Sequence, residues 1–160
     1  MKKSANGNMY EATLFETREM FAPYLSGAAE GVVCVVCIRP LATKAQAALC
    51  SSAAALGYGR EACIFVTLHE NDAEESPALD PQALFLLVEG LDPLVAVAAD
   101  RESATALGQA YHHAVTLDAP GRLFGRSIVA FNSFEKLLDS AQGKQTAWAL
   151  LKKLPKFGEQ

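Results

Sequence analysis

The sequence predicts an α/β protein, a three-layer sandwich in which helices cover both faces of a mostly parallel, four-stranded central sheet. Three observations lead there. Short β-branched runs alternate with segments of helical periodicity, which calls for crossover connections and hence parallel strands. The first of these runs, Gly31-Val-Val-Cys-Val-Val-Cys-Ile38, is apolar on both faces, the pattern of a strand covered on each side. No linker breaks the alternation across the 160 residues, so one domain, 1–160, is expected.

The elements follow in order. Residues 1–8 show no periodic pattern and read as a frayed leader. Tyr10, Leu14, Phe21 and Leu25 lie near one face of a helix that ends before Ser26-Gly27. Strand one, 31–38, stops at Pro40. Thr43-Lys-Ala-Gln46 has the spacing of a capping box and opens a helix running to Leu56, with Gly57 suited to a left-handed C-cap. Cys63-Ile-Phe-Val-Thr67 is strand two, and residues 69–79 form a long acidic loop. Asp80-Pro81 supplies an N-cap and a first-turn proline. Leu84, Leu87, Val88 and Leu91 then recur at helical spacing until Gly90 and Pro93 end the helix. Strand three is Leu94-Val-Ala-Val-Ala98, after which Asp100 caps a helix bearing Ala104, Leu107, Gly108 and Tyr111. An extended piece at 114–117 and a turn through Gly121-Arg-Leu-Phe-Gly125 precede strand four, Ser127 to Phe131. The remainder is helical, with an apolar stripe of Ala147, Leu150, Leu151 and Leu154.

Composition narrows the function classes. A net charge of −4 and a pI near 5.4 exclude a broad nucleic-acid surface, because phosphate neutralisation needs clustered Lys and Arg; a small local basic patch stays open. Lys2-Lys3 lead into Ser4-Ala-Asn-Gly-Asn8 rather than an apolar signal core, and no apolar stretch approaches the roughly 18 residues of a membrane span. The expectation is a cytoplasmic protein without membrane contact. Cys34 and Cys37 form a C-x-x-C. On a strand, residues three apart face opposite sides, so these thiols read as buried core residues rather than a redox or metal pair.

In open parallel sheets, ligands bind at the carboxyl ends of the strands. The candidate cleft is therefore Arg39 after strand one, His69 and Asn71 after strand two, Asp100 and Arg101 after strand three, and Asn132 and Ser133 after strand four. The competing account is that Asp100 and Ser133 cap helices and the other residues are ordinary polar loop positions. His69, Glu70 and Asp72 are too closely spaced to close a metal site alone, so no metal is predicted. His112-His113 at a helix C-terminus suits the helix dipole. No phosphate loop, dinucleotide fingerprint, hydrolase elbow or zincin motif occurs, so no catalytic residue and no cofactor is assigned.

With the segments in order, the chain resembles the uracil-DNA glycosylase superfamily, especially its compact thermostable-type bacterial and archaeal members. The likeness spans 31–154. It rests on Lys44-Ala-Gln-Ala-Ala-Leu49, Ala53-Ala-Ala-Leu-Gly-Tyr-Gly-Arg60 and Cys63-Ile-Phe-Val-Thr67; on Leu84 to Ala98 with the Ala- and Leu-rich helix at 103–111; and on Phe131-Asn-Ser133 with Gly143 to Leu154, including Trp148. The resemblance implies a base-excision fold, and the departures fall on its chemistry. The polar water-placing loop and the longer insertion expected after strand one are replaced by Cys37-Ile-Arg-Pro40. Leu68 stands in register with the Asn that would read uracil, with His69 and Asn71 nearby. Only Asn132-Ser133 matches the expected His-Pro-Ser, and the iron-sulfur cysteines have no counterparts.

The resulting expectation is a degenerate glycosylase-like domain without ordinary uracil excision, acting as a binding or accessory module. Two alternatives accompany it. One is a divergent enzyme acting on a nucleobase, nucleoside or other small ligand, with His69 as proton carrier and Arg39 or Arg101 steadying negative charge. The other is a protein-partner or homodimer module using an apolar stripe on residues 10–25.

Overall fold

The computed structural model describes residues 13–28, 32–70 and 78–156. It is an α/β protein with a six-stranded mixed sheet. In chain order the elements are helix α1 (13–20), a 3-10 turn (Ala22–Tyr24), β1 (Leu25–Gly27), β2 (Val33–Cys37), α2 (Thr43–Ala55), β3 (Cys63–Thr67), α3 (Pro81–Leu91), β4 (Val95–Ala98), α4 (Arg101–Tyr111), β5 (Pro120–Leu123), β6 (Arg126–Ala130), α5 (Phe134–Leu137) and α6 (Ala141–Leu151).

The sheet order is β1-β3-β2-β4-β6-β5. The four strands expected from sequence are β2, β3, β4 and β6, and they are parallel neighbours: Val35 pairs with Phe65 on one side and Val97 on the other, and Val97 pairs with Val129. The four-stranded count needs correction, because an antiparallel strand flanks this block at each edge. Both additions hide behind turn residues. β1 is three residues of Leu-Ser-Gly, too short to show alternation and placed where Ser26-Gly27 read as a helix stop. β5 begins Pro120-Gly121, and proline is tolerated only on an edge strand or at a strand start. Phe124 and Gly125, with φ of 52° and 91°, make the two-residue loop from β5 to β6. Positive φ at both positions fits the twist of a tight hairpin. Phenylalanine is an unusual choice at the first of them, and for that reason 121–125 read as a plain turn.

Burial explains the layers. Every residue of β2, β3 and β4 is buried, and successive side chains feed opposite cores. Val33, Val35, Cys37, Phe65 and Val97 pack with α2, α5 and α6, while Cys34, Val36, Ile64, Val66, Ala96 and Ala98 pack with α3 and α4. The C-x-x-C pair is thereby split between two cores, as expected from a strand.

Helix boundaries bear out the local reading in part. Asp80 accepts from the Ala83 amide at 2.7 Å, with Pro81 in the first turn. Gly57, at φ 94°, ends α2: its amide donates to the Ala54 carbonyl, and the Tyr58 amide to that of Ala53, a Schellman closure. The Thr43/Gln46 capping box does not form. Ala42 is the N-cap without a side-chain bond, and its amide donates instead to Glu135 Oε2 at 2.7 Å. With the N-cap amide taken by Glu135, Gln46 instead donates its Nε2 to the Leu41 carbonyl at 2.9 Å. Residues 114–117 form no strand.

Gly90 lies inside α3, which ends at Asp92 in the left-handed region, φ 50°. Its reason is packing. A Cβ at position 90 would stand 2.1 Å from Thr17 Oγ1, so glycine lets α1 lie against α3. Thr17 and Phe21 are buried there, while Phe15 and Met20 stay 62% and 69% exposed. The inner face of the N-terminal segment is therefore occupied by its own domain; Tyr10 and the leader lie outside the described residues. The helix expected over 10–25 stops at 20, where the chain turns through Pro23 into β1.

Gly90→Ala is expected to lower stability by about 1–3 kcal/mol, the usual range for overpacking. Denaturant unfolding of Gly90→Ala in the wild-type and Thr17→Ala backgrounds checks this. The cost should shrink in the second background if the Thr17 side chain is the obstacle, and an equal cost in both would contradict the contact.

Candidate functional site

The sheet topology itself gathers the candidate residues. Because β3, β2, β4 and β6 are adjacent and parallel, their carboxyl ends share one edge. Arg39 lies exposed in the loop from β2 to α2, and His69 is half-buried just past β3, its carbonyl accepting from Thr67 Oγ1 at 2.8 Å. Asn71, with Asp72, lies outside the described residues.

Asp100, Arg101, Asn132 and Ser133 form one connected group. Beyond β4 and β6 the backbone continues to pair: Asp100 and Ser133 form an antiparallel bridge, and the Arg101 amide donates to the Asn132 carbonyl at 3.1 Å. The Arg101 Nε donates to Asn132 Oδ1 at 3.0 Å. Asp100 Oδ1 accepts from the Ser103 amide at 2.8 Å, and Ser103 Oγ closes a capping box back to the Asp100 amide. Asp100 Oδ2 accepts from the Ile38 amide at 3.0 Å. Ser133 Oγ caps α5 at the Lys136 amide. The capping account of Asp100 and Ser133 thus holds, and Asp100 also does something that account lacks: it spans from β4 to the loop after β2. Those strands diverge to α-helices on opposite faces, so this is the switch point at which an open sheet ordinarily offers a crevice. Here the carboxylate stitches it together.

The loop after β2 is held at its far end too, by Glu135 on the Ala42 amide. Beyond β3, Leu68 is buried in the α3/α4 core, its amide donating to the Cys37 carbonyl and its carbonyl accepting from Leu79. Cys37 lies under these loops. Burial first, then the negative charge of Asp100, Cys34 and Glu135, pushes its thiol up to about 12. Burial likewise raises Cys34 and Cys63 to about 12. Such thiols are poor nucleophiles and poor metal ligands. Among the described residues no group of three or more His, Cys, Asp and Glu side chains is placed to hold a metal ion, and no helix is long and apolar enough to cross a membrane.

A second polar cluster, invisible in sequence, closes the opposite edge. Arg126, at the start of β6, donates through Nη1 to Glu89 Oε2 at 2.7 Å, through Nε to the Pro93 carbonyl at 3.0 Å and through Nη2 to Asp92 Oδ1 at 3.2 Å. Tyr111 donates its hydroxyl to the same Glu89 oxygen at 2.6 Å, and its ring packs with Phe85 and Phe124. Every branch of the guanidinium is engaged, which identifies a clamp joining α3 and α4 to β6. Burial, with the Glu89 bond, raises the Tyr111 hydroxyl well above its ordinary value. No motif spacing links Glu89, Tyr111 and Arg126, which are brought together only by the crossovers. His112, next to this cluster, ends α4 in the left-handed region, φ 53°, and both histidines are exposed.

The sequence matches no protein-family profile and no curated protein.

Removing the Asp100 carboxylate leaves the Ile38 and Ser103 amides without it, so Asp100→Ala is expected to cost about 1–3 kcal/mol. Asp100→Asn, which keeps one acceptor oxygen, should cost less. Urea midpoints of the two variants rank them, and equal midpoints would exclude the two-amide role.

The buried thiols set a pH dependence. Their folded values, raised from an ordinary value of 9.0 to about 12, mean that the unfolded chain releases these protons first. Their stabilising contribution is full below about pH 9 and declines as pH rises towards 12, by about 1.4 kcal/mol per pH unit for each thiol. Urea unfolding under reducing conditions at pH 8, 9 and 10 measures the slope, which Cys34→Ala should flatten by roughly one thiol's share. In the native protein, the half-exposed Cys50 should react with a thiol reagent well before the three buried thiols. A slope unchanged by Cys34→Ala would reject the assignment.

Proposed function

We propose that the chain is a degenerate uracil-DNA-glycosylase-like domain that lacks ordinary uracil excision and serves as a binding or accessory module. The observation that carries this reading is the condition of the three segments the resemblance assigns to the active site. They leave neighbouring parallel strands at one edge of the sheet, which is where a shared base-excision ancestry would put them. Their polar groups, however, are engaged with the protein itself. The loop after β2 is bound at both ends by Asp100 and Glu135. Leu68, in register with the expected uracil-reading Asn, belongs to the core. Asn132, standing where a His would stabilise the departing base, has its side-chain oxygen held by Arg101.

Excision requires a pocket that reads an extruded base and preorganised groups that steady the leaving group and the sugar cation. The groups in these bonds, acceptors and donors alike, would have to break them to serve either role. Loss of the chemistry with retention of the framework is the reading that accommodates both halves of the observation.

The test is uracil release from uracil-containing single-stranded and duplex oligonucleotides by the purified protein, at protein in excess over substrate. No release above buffer is expected over several hours. Release that disappears in Asn132→Ala or His69→Ala would overturn the proposal and favour a divergent enzyme.

A further inference from the structure

We propose that the groove between α2 and α6 is a docking site for an acidic amphipathic helix of a partner protein. The inference does not rest on glycosylase-like ancestry, since it uses the outer faces of two helices rather than the strand-end loops.

The groove has a volume of about 350 Å3. Phe134, Leu138 and Trp148 line one side, and Ala47, Ala48 and Ser51 the other. Small residues on α2 let a second helix approach closely, and the half-buried Trp148, over a floor of the buried Phe134 and Leu138, offers apolar surface for its stripe, as helix-in-groove recognition requires. Over Ala47 and Ser51 the groove adjoins a further depression that reaches Arg60. The C-terminal ends of the two helices are tied together by the Tyr58 hydroxyl, which donates to the Pro155 carbonyl. The groove is thus a gap between helices that are both anchored on the sheet.

Charge decides what fits. Residues 43–60 and 140–156 carry Lys44, Arg60, Lys144, Lys152, Lys153 and Lys156 and no Asp or Glu, in a chain whose net charge is −4. These are six of the chain's 14 Lys and Arg, in two stretches bordered by Asp139 and Glu61. Lys44 and Lys144 line the groove itself, each in or beside the first turn of its helix. A cation there opposes the positive end of the helix dipole; the nearest acids in the chain are Glu135, which is bound to the α2 N-cap amide, and Asp139 before the α6 N-cap, and neither lines the groove. Two lysines thus place positive charge in the lining of one apolar groove. An occupant with carboxylates flanking an apolar stripe would satisfy both features, and the acidic remainder of the surface would repel it elsewhere. A nucleic acid fits less well. It needs a cation-lined track with repeated stacking platforms, whereas this lining is largely apolar and Trp148 is its single tryptophan, with Lys152 Nζ 5.9 Å over the ring.

The test uses a fluorescein-labelled synthetic 16-residue peptide with Leu at helical spacing and Glu elsewhere. Three controls accompany it: its scrambled isomer without the stripe, a version with Lys replacing Glu, and a single-stranded oligonucleotide of equal charge. Trp148 is the protein's only tryptophan, so its emission reports directly on the groove. The acidic amphipathic peptide is expected to bind saturably, shift Trp148 emission to the blue, and lose at least tenfold in affinity when Lys44→Glu and Lys144→Glu are combined. That double variant should have an unchanged or higher Tm, because it places acids near helix N-termini, so misfolding cannot account for lost binding. Ala47→Trp, which fills the groove from an exposed position, should weaken binding without altering charge. Equal binding of the scrambled peptide, tighter binding of the oligonucleotide, or affinity unaffected by the lysine and Ala47 changes would overturn the proposal.

Discussion

A strand covered on both faces can hold a polar side chain only where a partner is at hand, as Thr67 at the end of β3 has in the His69 carbonyl. β2, β3 and β4 are buried at every residue, so this sheet must send its polar chemistry to the two edges where strands end. There the exposed backbone groups need partners, because an amide left unsatisfied away from water costs about as much as a lost hydrogen bond. At the carboxyl edge Asp100 takes two amides and Glu135 a third. At the amino edge Glu89 and Asp92 take the donors of Arg126, and Glu89 that of Tyr111 as well. Each edge is thus closed by carboxylates that accept from separate elements, and at the carboxyl edge Asp100 joins the two helical layers, taking one amide before α2 and one in α4.

The same constraint accounts for the thiols. Cysteine is one of the few residues small and apolar enough for such strands, and once there it is remote from water. Cys37 lies closest to the acidic edge, and its thiol is held protonated by burial reinforced by Asp100 and Glu135. What looks in sequence like a reactive pair becomes, across a pleat, two inert core residues facing different layers.

This also defines what could be read in advance. The four parallel strands were legible because their signal is local: a two-sided apolar run bounded by Gly, Pro or Asp needs no tertiary information. Asp80, Asp100 and Gly57 were legible for the same reason, their bonds being made within a few residues. The edge strands were not, since β1 is too short for alternation and β5 opens on Pro120-Gly121. Nor was Ala42 as an N-cap, because its amide is served by Glu135, 93 positions away. Of the candidate site, the gathering of Arg39, His69, Asp100, Arg101, Asn132 and Ser133 at one edge followed from strand order. Whether those groups were available for a ligand did not, because it depended on pairings such as Arg101 with Asn132 that only the folded chain creates. Gly90 shows the limit most plainly: glycine there reads as a helix stop, and its reason is Thr17 on another helix.

The two edges therefore obey local physical chemistry closely, with donors matched to acceptors and caps in place. The α2/α6 face does not. α2 begins on an alanine whose amide is served from α5 by Glu135, and Lys44 and Lys144 line an apolar groove between the two helices that has no carboxylate in its lining. A sequence that specifies its fold consistently elsewhere gains nothing for folding from a lysine at either position, because a cation near a helix N-terminus opposes the dipole. Departures of this kind concentrate where a protein does something other than fold. At the strand-end edge the Ile38 and Ala42 amides and the Asn132 side-chain oxygen are all bonded within the protein. On the α2/α6 face the departures leave positive charge and apolar surface unmatched. Function in this chain is thus better sought on the unmatched face than in the closed edge.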